Sequence, residues 1–134
     1  MACIVLADDR LDELQVLAML LEAGGHKVLA AMSPNDAIRQ IERGGPDAVL
    51  LDLKFPNAQG EPDAEEGFAL IRRIHELAPG AAVFVLSGWP EEIYGRPEEG
   101  LVTRVMVKPV LLPALLEAIS EVCAPGRSLP SASR

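Results

Sequence analysis

The chain has 134 residues, of which 49% are hydrophobic, and its 20 Asp and Glu outnumber its 12 Lys and Arg to give a net charge of −8. This length suits one domain with a single core. The negative charge repels phosphate backbones and anionic lipid, so neither nucleic acid nor a membrane surface is expected as a direct partner. Because no apolar run approaches the roughly 20 residues that span a bilayer, a cytoplasmic location is expected.

The first half of the chain switches repeatedly between short continuous apolar runs and apolar residues at helical spacing. Continuous runs are typical of strands covered on both faces, whereas steps of three and four residues predict amphipathic helices. Ser33 followed by Pro34 is typical of a helix start, and Gly24 and Gly44 are typical of helix ends. The predicted elements are strands at 4–7, 27–31 and 47–52 and helices at 10–23 and 34–44.

The second half continues the same alternation. Gly95 and Pro97 interrupt the segment 90–100, which is therefore expected to be weakly helical at best. The tail 124–134 is small, polar and proline-containing, and is expected to be disordered. Five strands alternating with about five helices predict a doubly wound α/β fold, with one domain over 1–123. The predicted elements are helices at 67–78 and 110–123, a weak helix within 90–100, and strands at 82–87 and 101–107.

Chemically active side chains fall at the carboxyl ends of the predicted strands. Asp8 and Asp9 follow the first strand, and Asp52 ends the third. Ser87 ends the fourth strand, and Lys108 follows the fifth. Such ends meet at one edge of a parallel sheet, near the switch point where doubly wound folds bind ligands. Three carboxylates there need cationic compensation, and hard oxygen ligands suit Mg²⁺, so these residues predict a magnesium site with Lys108 beside it.

Four short motifs in this order resemble the receiver domain of two-component response regulators. They are "DD" at 8–9, "DLKFP" at 52–56, "LSG" at 86–88 and "VKP" at 107–109. The resemblance covers about residues 2–123. It implies a flavodoxin-like, chemotaxis-protein-like fold with a five-stranded parallel sheet in the order 2-1-3-4-5 and helices on both faces. It also implies a cis peptide bond between Lys108 and Pro109.

The resemblance also implies a role for each strand-end residue. Asp52 would be the phosphoacceptor, attacking a phosphohistidine or a small phosphodonor to form an acyl phosphate. Ser87 and Lys108 would each contact a phosphoryl oxygen and complete the catalytic set. The implied Mg²⁺ ligands are Asp8 (mainly through water), Asp9, Asp52 and the backbone carbonyl of Lys54.

The predicted function is a phosphoacceptor switch, not an enzyme that turns over outside substrates. Only phosphotransfer onto the chain itself and autodephosphorylation are expected. The implied partners are a histidine kinase or histidine phosphotransfer protein and a downstream protein, and a homodimer is an assembly that the resemblance allows. Since only the tail 124–134 follows the predicted domain, the output is expected to be a protein–protein interaction, onward transfer of the phosphoryl group, or a phosphate sink.

Two features depart from the family pattern. Val105 stands where the family usually carries an aromatic switch residue, which leaves Trp89 or Tyr94 as candidate replacements. The acidic segment 57–67 is longer than usual, and it is interpreted either as a solvated loop or as a lid that alters access to Asp52 or recognition by a kinase. Both features keep open an alternative of a different class, a pseudo-receiver that binds and signals without phosphorylation.

Two enzyme classes with related chemistry are disfavoured by single positions. A haloacid-dehalogenase-like phosphatase needs a second acid two residues after its aspartate nucleophile, where this chain has Lys54. A dinucleotide-binding enzyme needs a glycine-rich turn after the first strand, where this chain has "ADDR" at 7–10.

Overall fold

The computed structural model describes residues 2–123, so the expected disorder of 124–134 lies outside the described residues. Within that range no helix combines the length and the apolar character that a membrane span needs. The elements are β1 (Cys3–Ala7), α1 (Leu11–Ala23), β2 (Lys27–Ala31), α2 (Pro34–Gly44), β3 (Ala48–Leu51), β4 (Phe55–Pro56), β5 (Pro62–Asp63), α3 (Ala64–Leu77), β6 (Ala82–Ser87), two 3-10 helices, η1 (Pro90–Glu92) and η2 (Pro97–Leu101), β7 (Arg104–Val107) and α4 (Leu112–Cys123).

The main sheet has five parallel strands in the order β2-β1-β3-β6-β7. The two short strands β4 and β5 form a separate antiparallel pair, so β6 and β7 are the fourth and fifth strands of the main sheet. The order is therefore the predicted 2-1-3-4-5, and the predicted doubly wound parallel fold is confirmed.

Two core layers lie on opposite faces of this sheet. Along β1, Val5 and Ala7 join the layer packed against α2 and α3, whereas Ile4 and Leu6 join the layer packed against α1 and α4. Successive side chains of a strand point to opposite faces, so a strand with helices on both sides must be apolar throughout. This explains the continuous apolar runs in the sequence.

The predicted start of a helix at Gly67 is wrong, because α3 begins at Ala64. The side chain of Asp63 caps this helix by accepting a hydrogen bond from the Glu65 N–H at 2.9 Å. The preceding residues form the β4–β5 hairpin instead of an irregular loop, and Asn57 closes its turn by accepting hydrogen bonds from two backbone N–H groups, at 2.9 and 3.1 Å. The acidic insertion is thus a folded hairpin joined to an early helix start.

The segment between β6 and α4 also differs from the prediction. The weak helix expected within 90–100 is replaced by η1 and η2, with Gly95 between them in the left-handed region at φ 81°. The fifth strand of the sheet begins at Arg104 and not at 101, since Leu101 still belongs to η2. Helix α4 begins at Leu112, two residues later than predicted. The expected cis bond between Lys108 and Pro109 is present.

Candidate functional site

Backbone hydrogen bonds between strand ends bring the predicted site residues to one edge of the sheet. The N–H of Asp52 donates to the carbonyl of Ala7 at 3.1 Å, which places the end of β3 beside the end of β1. The N–H of Lys108 donates to the carbonyl of Ser87 at 2.9 Å, which does the same for β7 and β6. Parallel register alone therefore fixes the positions from which these side chains project.

The ammonium of Lys108 is the centre of the site. Its Nζ lies 2.7 Å from Asp52 Oδ2, 3.6 Å from Asp8 Oδ2 and 3.4 Å from Glu13 Oε1. The side chain of Lys108 is 27% exposed and that of Asp52 17%, so solvent reaches both but does not surround them. Three carboxylates thus share one ammonium in a half-buried setting.

Burial, hydrogen bonds and the neighbouring charges shift the pKa values of two groups at this site. Burial raises the pKa of Asp8, and the charges of Asp52 and Glu13 raise it further. The backbone N–H of Arg10 and the ammonium of Lys108 lower this pKa but do not outweigh the other causes. Burial alone would lower the pKa of Lys108, but its hydrogen bond to Asp52 and the surrounding carboxylates raise the pKa above its ordinary value. The site therefore carries excess negative charge, which a further cation would relieve.

Asp52 is held through both of its carboxylate oxygens. Oδ2 accepts from Lys108, and Oδ1 accepts a hydrogen bond from the backbone N–H of Lys54 at 3.1 Å. Ser87 is 4% exposed, and its hydroxyl accepts a hydrogen bond from the Trp89 N–H at 3.0 Å. Asp9 is half-buried beside Asp8. Among the described contacts, neither Ser87 nor Asp9 pairs directly with Asp52.

The side chains at this edge of the sheet offer oxygen donors to a divalent cation. Within residues 2–123 there is no group of three or more Asp, Glu, His or Cys side chains arranged to hold one metal ion. The donors at this edge are nevertheless carboxylate oxygens, the ligand type that Mg²⁺ prefers, and the buried carboxyl of Asp8 is only partly compensated by Lys108. The chemistry of the donors fits Mg²⁺.

The contacts of two side chains at the site were missed by sequence reasoning. Glu13 reaches Lys108 because α1 starts only four residues after β1 ends, so its first turn lies over the strand ends; this short connection is the signal that could have found it. No contact of the Lys54 side chain is predicted from the sequence, whereas its Nζ lies 4.7 Å from the centroid of the Trp89 ring and 3.7 Å from Glu92 Oε2.

A groove of about 410 Å³ opens beside the paired Asp52 and Lys108. It runs between α1 and the segment that joins β7 to α4, and most of its lining is apolar. A molecule in the groove would meet Asp52 at its polar end. The apolar lining includes Val16, Leu17, Leu20, Pro109 and Val110.

Comparisons with known proteins agree with this arrangement. The model of the response regulator receiver domain matches residues 4–120. A response regulator receiver protein of Anaeromyxobacter is 30% identical over 84% of this chain, which spans 45% of that protein. Protein PilH of Pseudomonas aeruginosa is 28% identical, over 92% of this chain and 99% of PilH.

Solved structures show the same fold. The crystal structure of a response regulator receiver domain protein from Clostridium thermocellum superposes with a TM-score of 0.78 at 28% identity, covering 91% of this chain and 94% of that one. A receiver match over residues 4–120 includes every strand and helix described above, apart from the ends of β1 and α4. The chain belongs to the response regulator receiver domain family.

Proposed function

We propose that this chain is a phosphoacceptor switch of a cytoplasmic two-component system, in which Asp52 receives a phosphoryl group from a histidine kinase or a histidine phosphotransfer protein. The observation that carries the proposal is the setting of the Asp52 carboxylate. Lys108 Nζ lies 2.7 Å from one of its oxygens, the Lys54 N–H holds the other, and a groove opens beside it. A fixed, partly desolvated carboxylate next to an ammonium is suited to attack phosphorus.

The bonds that form and break in the proposed transfer involve only Asp52, the donor and water. A carboxylate oxygen of Asp52 forms a new O–P bond while the P–N bond of the phosphohistidine breaks. The electron pair of that bond stays on the imidazole nitrogen, which takes a proton from solvent. Autodephosphorylation is the attack of water on the same phosphorus, and it releases phosphate and restores the carboxylate.

The neighbouring residues would hold the phosphoryl group in place and neutralise its charge. Lys108 would pair with a phosphoryl oxygen, and the Ser87 hydroxyl would donate a hydrogen bond to another. When bound, Mg²⁺ supplies further charge neutralisation at the phosphoryl oxygens. TrrA of Thermotoga maritima, a protein of the same fold at 19% identity and a TM-score of 0.77, is described in complex with Mg²⁺ and BeF. The proposed Mg²⁺ ligands here are Asp8, Asp9, Asp52 and the backbone carbonyl of Lys54.

The groove supplies the route for the donor. Its walls are α1 and the segment between β7 and α4, and its polar end holds Asp8, Asp52 and Lys108. An imidazole carried on a protein surface could reach Asp52 from there while apolar side chains of the donor protein pack against the groove walls. Phosphorylation would then change the surface offered to a downstream protein.

A pseudo-receiver is the second candidate, and one observation favours it. In the described part of the chain no three carboxylates are arranged around a common metal position, and Lys108 is already paired with both Asp52 and Asp8. A module of this kind would keep the ion pair permanently and bind its partner in one state.

Intact mass separates the two candidates. The protein is incubated with phosphoramidate, which carries a P–N bond like phosphohistidine, with Mg²⁺ or with EDTA. The switch predicts one added phosphoryl group that forms with Mg²⁺ but not with EDTA, and not in Asp52→Asn. Asp12→Asn, which changes an exposed aspartate of α1 in the groove lining, should still label. No adduct on a protein with normal circular dichroism would favour the pseudo-receiver.

A further inference from the structure

The side chain of Lys54 joins two segments that flank Asp52. Its Nζ lies 4.7 Å from the centroid of the Trp89 ring, in a cation–π contact, and 3.7 Å from Oε2 of Glu92. Trp89 lies two residues after the end of β6, and Glu92 lies in η1. One ammonium therefore holds the segment 88–92 against the loop that follows Asp52.

These contacts are weak by geometry and exposure. The N–O separation to Glu92 is longer than a hydrogen bond, and the side chains of Lys54 and Glu92 are 38% and 32% exposed. The Trp89 ring is 59% exposed. The second carboxylate oxygen of Glu92 is buried and has no hydrogen-bond partner among the described residues. An anion of higher charge within reach of the Lys54 ammonium would replace Trp89 and Glu92 as its partners.

Phosphorylation of Asp52 creates such an anion. The Lys54 N–H is already hydrogen-bonded to Asp52 Oδ1 at 3.1 Å, so its flexible four-carbon stem starts beside the phosphorylated group. Phosphorylation replaces the single negative charge of Asp52 with two, and Lys108, which is already shared among three carboxylates, cannot by itself neutralise the added charge. Charge-assisted hydrogen bonds to phosphate oxygens are stronger than an exposed ion pair or a cation–π contact.

We propose that the Lys54 ammonium moves from Trp89 and Glu92 to the phosphoryl group of phosphorylated Asp52, and that this releases Trp89 and the segment 88–92. The inference rests on the proposed function, since it requires that Asp52 is phosphorylated. In this proposal the Lys54 side chain supplies the phosphoryl group with a second positive charge, beside that of Lys108. Trp89 is the aromatic residue that changes position on phosphorylation.

The residues that follow the segment 88–92 are held firmly in the fold. Ile93 is fully buried in the core, and Arg96 stacks on the Phe68 ring of α3 at 4.1 Å from the ring centroid. Glu98 is buried in η2 and hydrogen-bonded to Arg72 of α3. A change that starts at Lys54 therefore stops before Ile93, and η2 keeps its place.

Trp89 reports directly on this rearrangement because it is the only tryptophan of the chain. Acrylamide quenching of its fluorescence is measured before and after phosphorylation, and intact mass gives the phosphorylated fraction of each sample. In the wild type we expect the quenching constant to rise in proportion to that fraction, because the ammonium leaves the ring. In Lys54→Ala we expect the raised value before phosphorylation and no further rise after it. Lys27→Ala, which removes an exposed lysine in β2, serves as the matched control and should behave as the wild type.

The outcomes separate this inference from the proposed function. An unchanged quenching constant in fully phosphorylated wild type would overturn the release of Trp89. An equal rise in the wild type and in Lys54→Ala would overturn the role of Lys54. If the wild type forms no adduct at all, the proposed function fails, and this inference fails with it.

Discussion

At the edge of the sheet, the charge of Asp8 lowers the stability of the free protein but favours its reactivity. Asp8 is 8% exposed and lies with Asp52 and Glu13 around one ammonium, so its charge is only partly compensated in the free protein. A carboxylate in this position favours the binding of a cation more than it favours folding. Its effect on stability should therefore be separable from its effect on phosphorylation.

Asp8→Asn is expected to stabilise the metal-free protein by about 1 kcal/mol, because a neutral amide of the same shape removes repulsion from the neighbouring carboxylates. The same variant should phosphorylate at least about tenfold more slowly, since a cation ligand is lost. Thermal unfolding in EDTA measures the first effect, and the rate of adduct formation with Mg²⁺ measures the second. A variant that is less stable than the wild type, with normal phosphorylation, would contradict both expectations.

The sequence allowed part of the site to be predicted. The carboxyl ends of parallel strands meet at one edge of the sheet, and their register depends only on the backbone. The positions of Asp8, Asp52 and Lys108 could therefore be predicted. The contacts of Glu13 and of the Lys54 side chain do not follow from this register, because they depend on where a helix turn falls and on side-chain conformation. The structure gives the positions of the predicted site residues, whereas the roles of all of them in binding Mg²⁺ and the phosphoryl group stay predictions.

At the scale of elements, α3 approaches the loop after β3 very closely at Gly67. A Cβ atom at this position would lie 2.2 Å from the carbonyl oxygen of Leu53 and 2.6 Å from its Cα. Both are backbone atoms, so the clash cannot be relieved by a side-chain rotation. Gly67→Ala is expected to lower the free energy of unfolding by at least about 2 kcal/mol.

Gly80→Ala is the matched control for this prediction, because a Cβ atom there meets nothing within 4 Å. Urea unfolding of both variants measures the difference, and Gly80→Ala should stay within about 0.5 kcal/mol of the wild type. Equal stabilities of the two variants would show that α3 does not pack on Leu53 as described.

The attachment of η2 to α3 predicts a pH dependence of stability. Burial pushes the pKa of Glu98 upward, but its own backbone N–H and the guanidinium groups of Arg72 and Arg96 outweigh burial and hold the pKa below its ordinary value of 4.5. A carboxyl with a lowered pKa in the folded state adds stability above its unfolded pKa and loses it as the pH falls through the folded pKa. Glu98 should therefore contribute to acid destabilisation below pH 4.5.

Glu98→Gln tests this contribution. The variant should be less stable than the wild type at pH 7, and the difference should shrink as the pH is lowered from 4.5 to 3, because the wild-type carboxyl becomes neutral too. Thermal midpoints across this range provide the measurement. A difference between the two proteins that stays constant with pH would rule out an ionised Glu98 as the source.

The elements that the sequence missed have two different physical causes. The run of carboxylates before Gly67 was interpreted as a loop because charged residues are usually solvated, but Asp63 uses its charge as a helix cap. The segment 90–100 lacks a helical period, and η2 and the preceding Arg96 are held by contacts with α3 that local sequence does not reveal. A local helix cap explains the first difference, and tertiary contacts explain the second.

For the whole molecule, the alternation of apolar runs and helical periods was sufficient to predict the fold, because each strand must serve two core layers at once. Leu50 and Leu51 are adjacent in β3 and fully buried, yet they belong to opposite layers. Because one sheet separates and joins these layers, we expect the domain to unfold in a single transition.

Leu50→Ala and Leu51→Ala test whether the two layers unfold together. Each variant is expected to lose about 2–5 kcal/mol of unfolding free energy, because each leaves a cavity in a close-packed layer. Urea unfolding followed by far-UV circular dichroism should keep one transition in both variants. A second transition in either variant would indicate that the layers fold independently.

The central claim is that Asp52 is the residue that carries the phosphoryl group, and its most direct test is localisation of the adduct. The wild type is phosphorylated with Mg²⁺ and a small donor and reduced with borohydride, which converts an aspartyl phosphate into homoserine, and the peptides are then analysed by mass. The account predicts homoserine at position 52 and at no other aspartate. A phosphoryl group found instead on His26, His75 or Ser87, or homoserine at another aspartate, would contradict it.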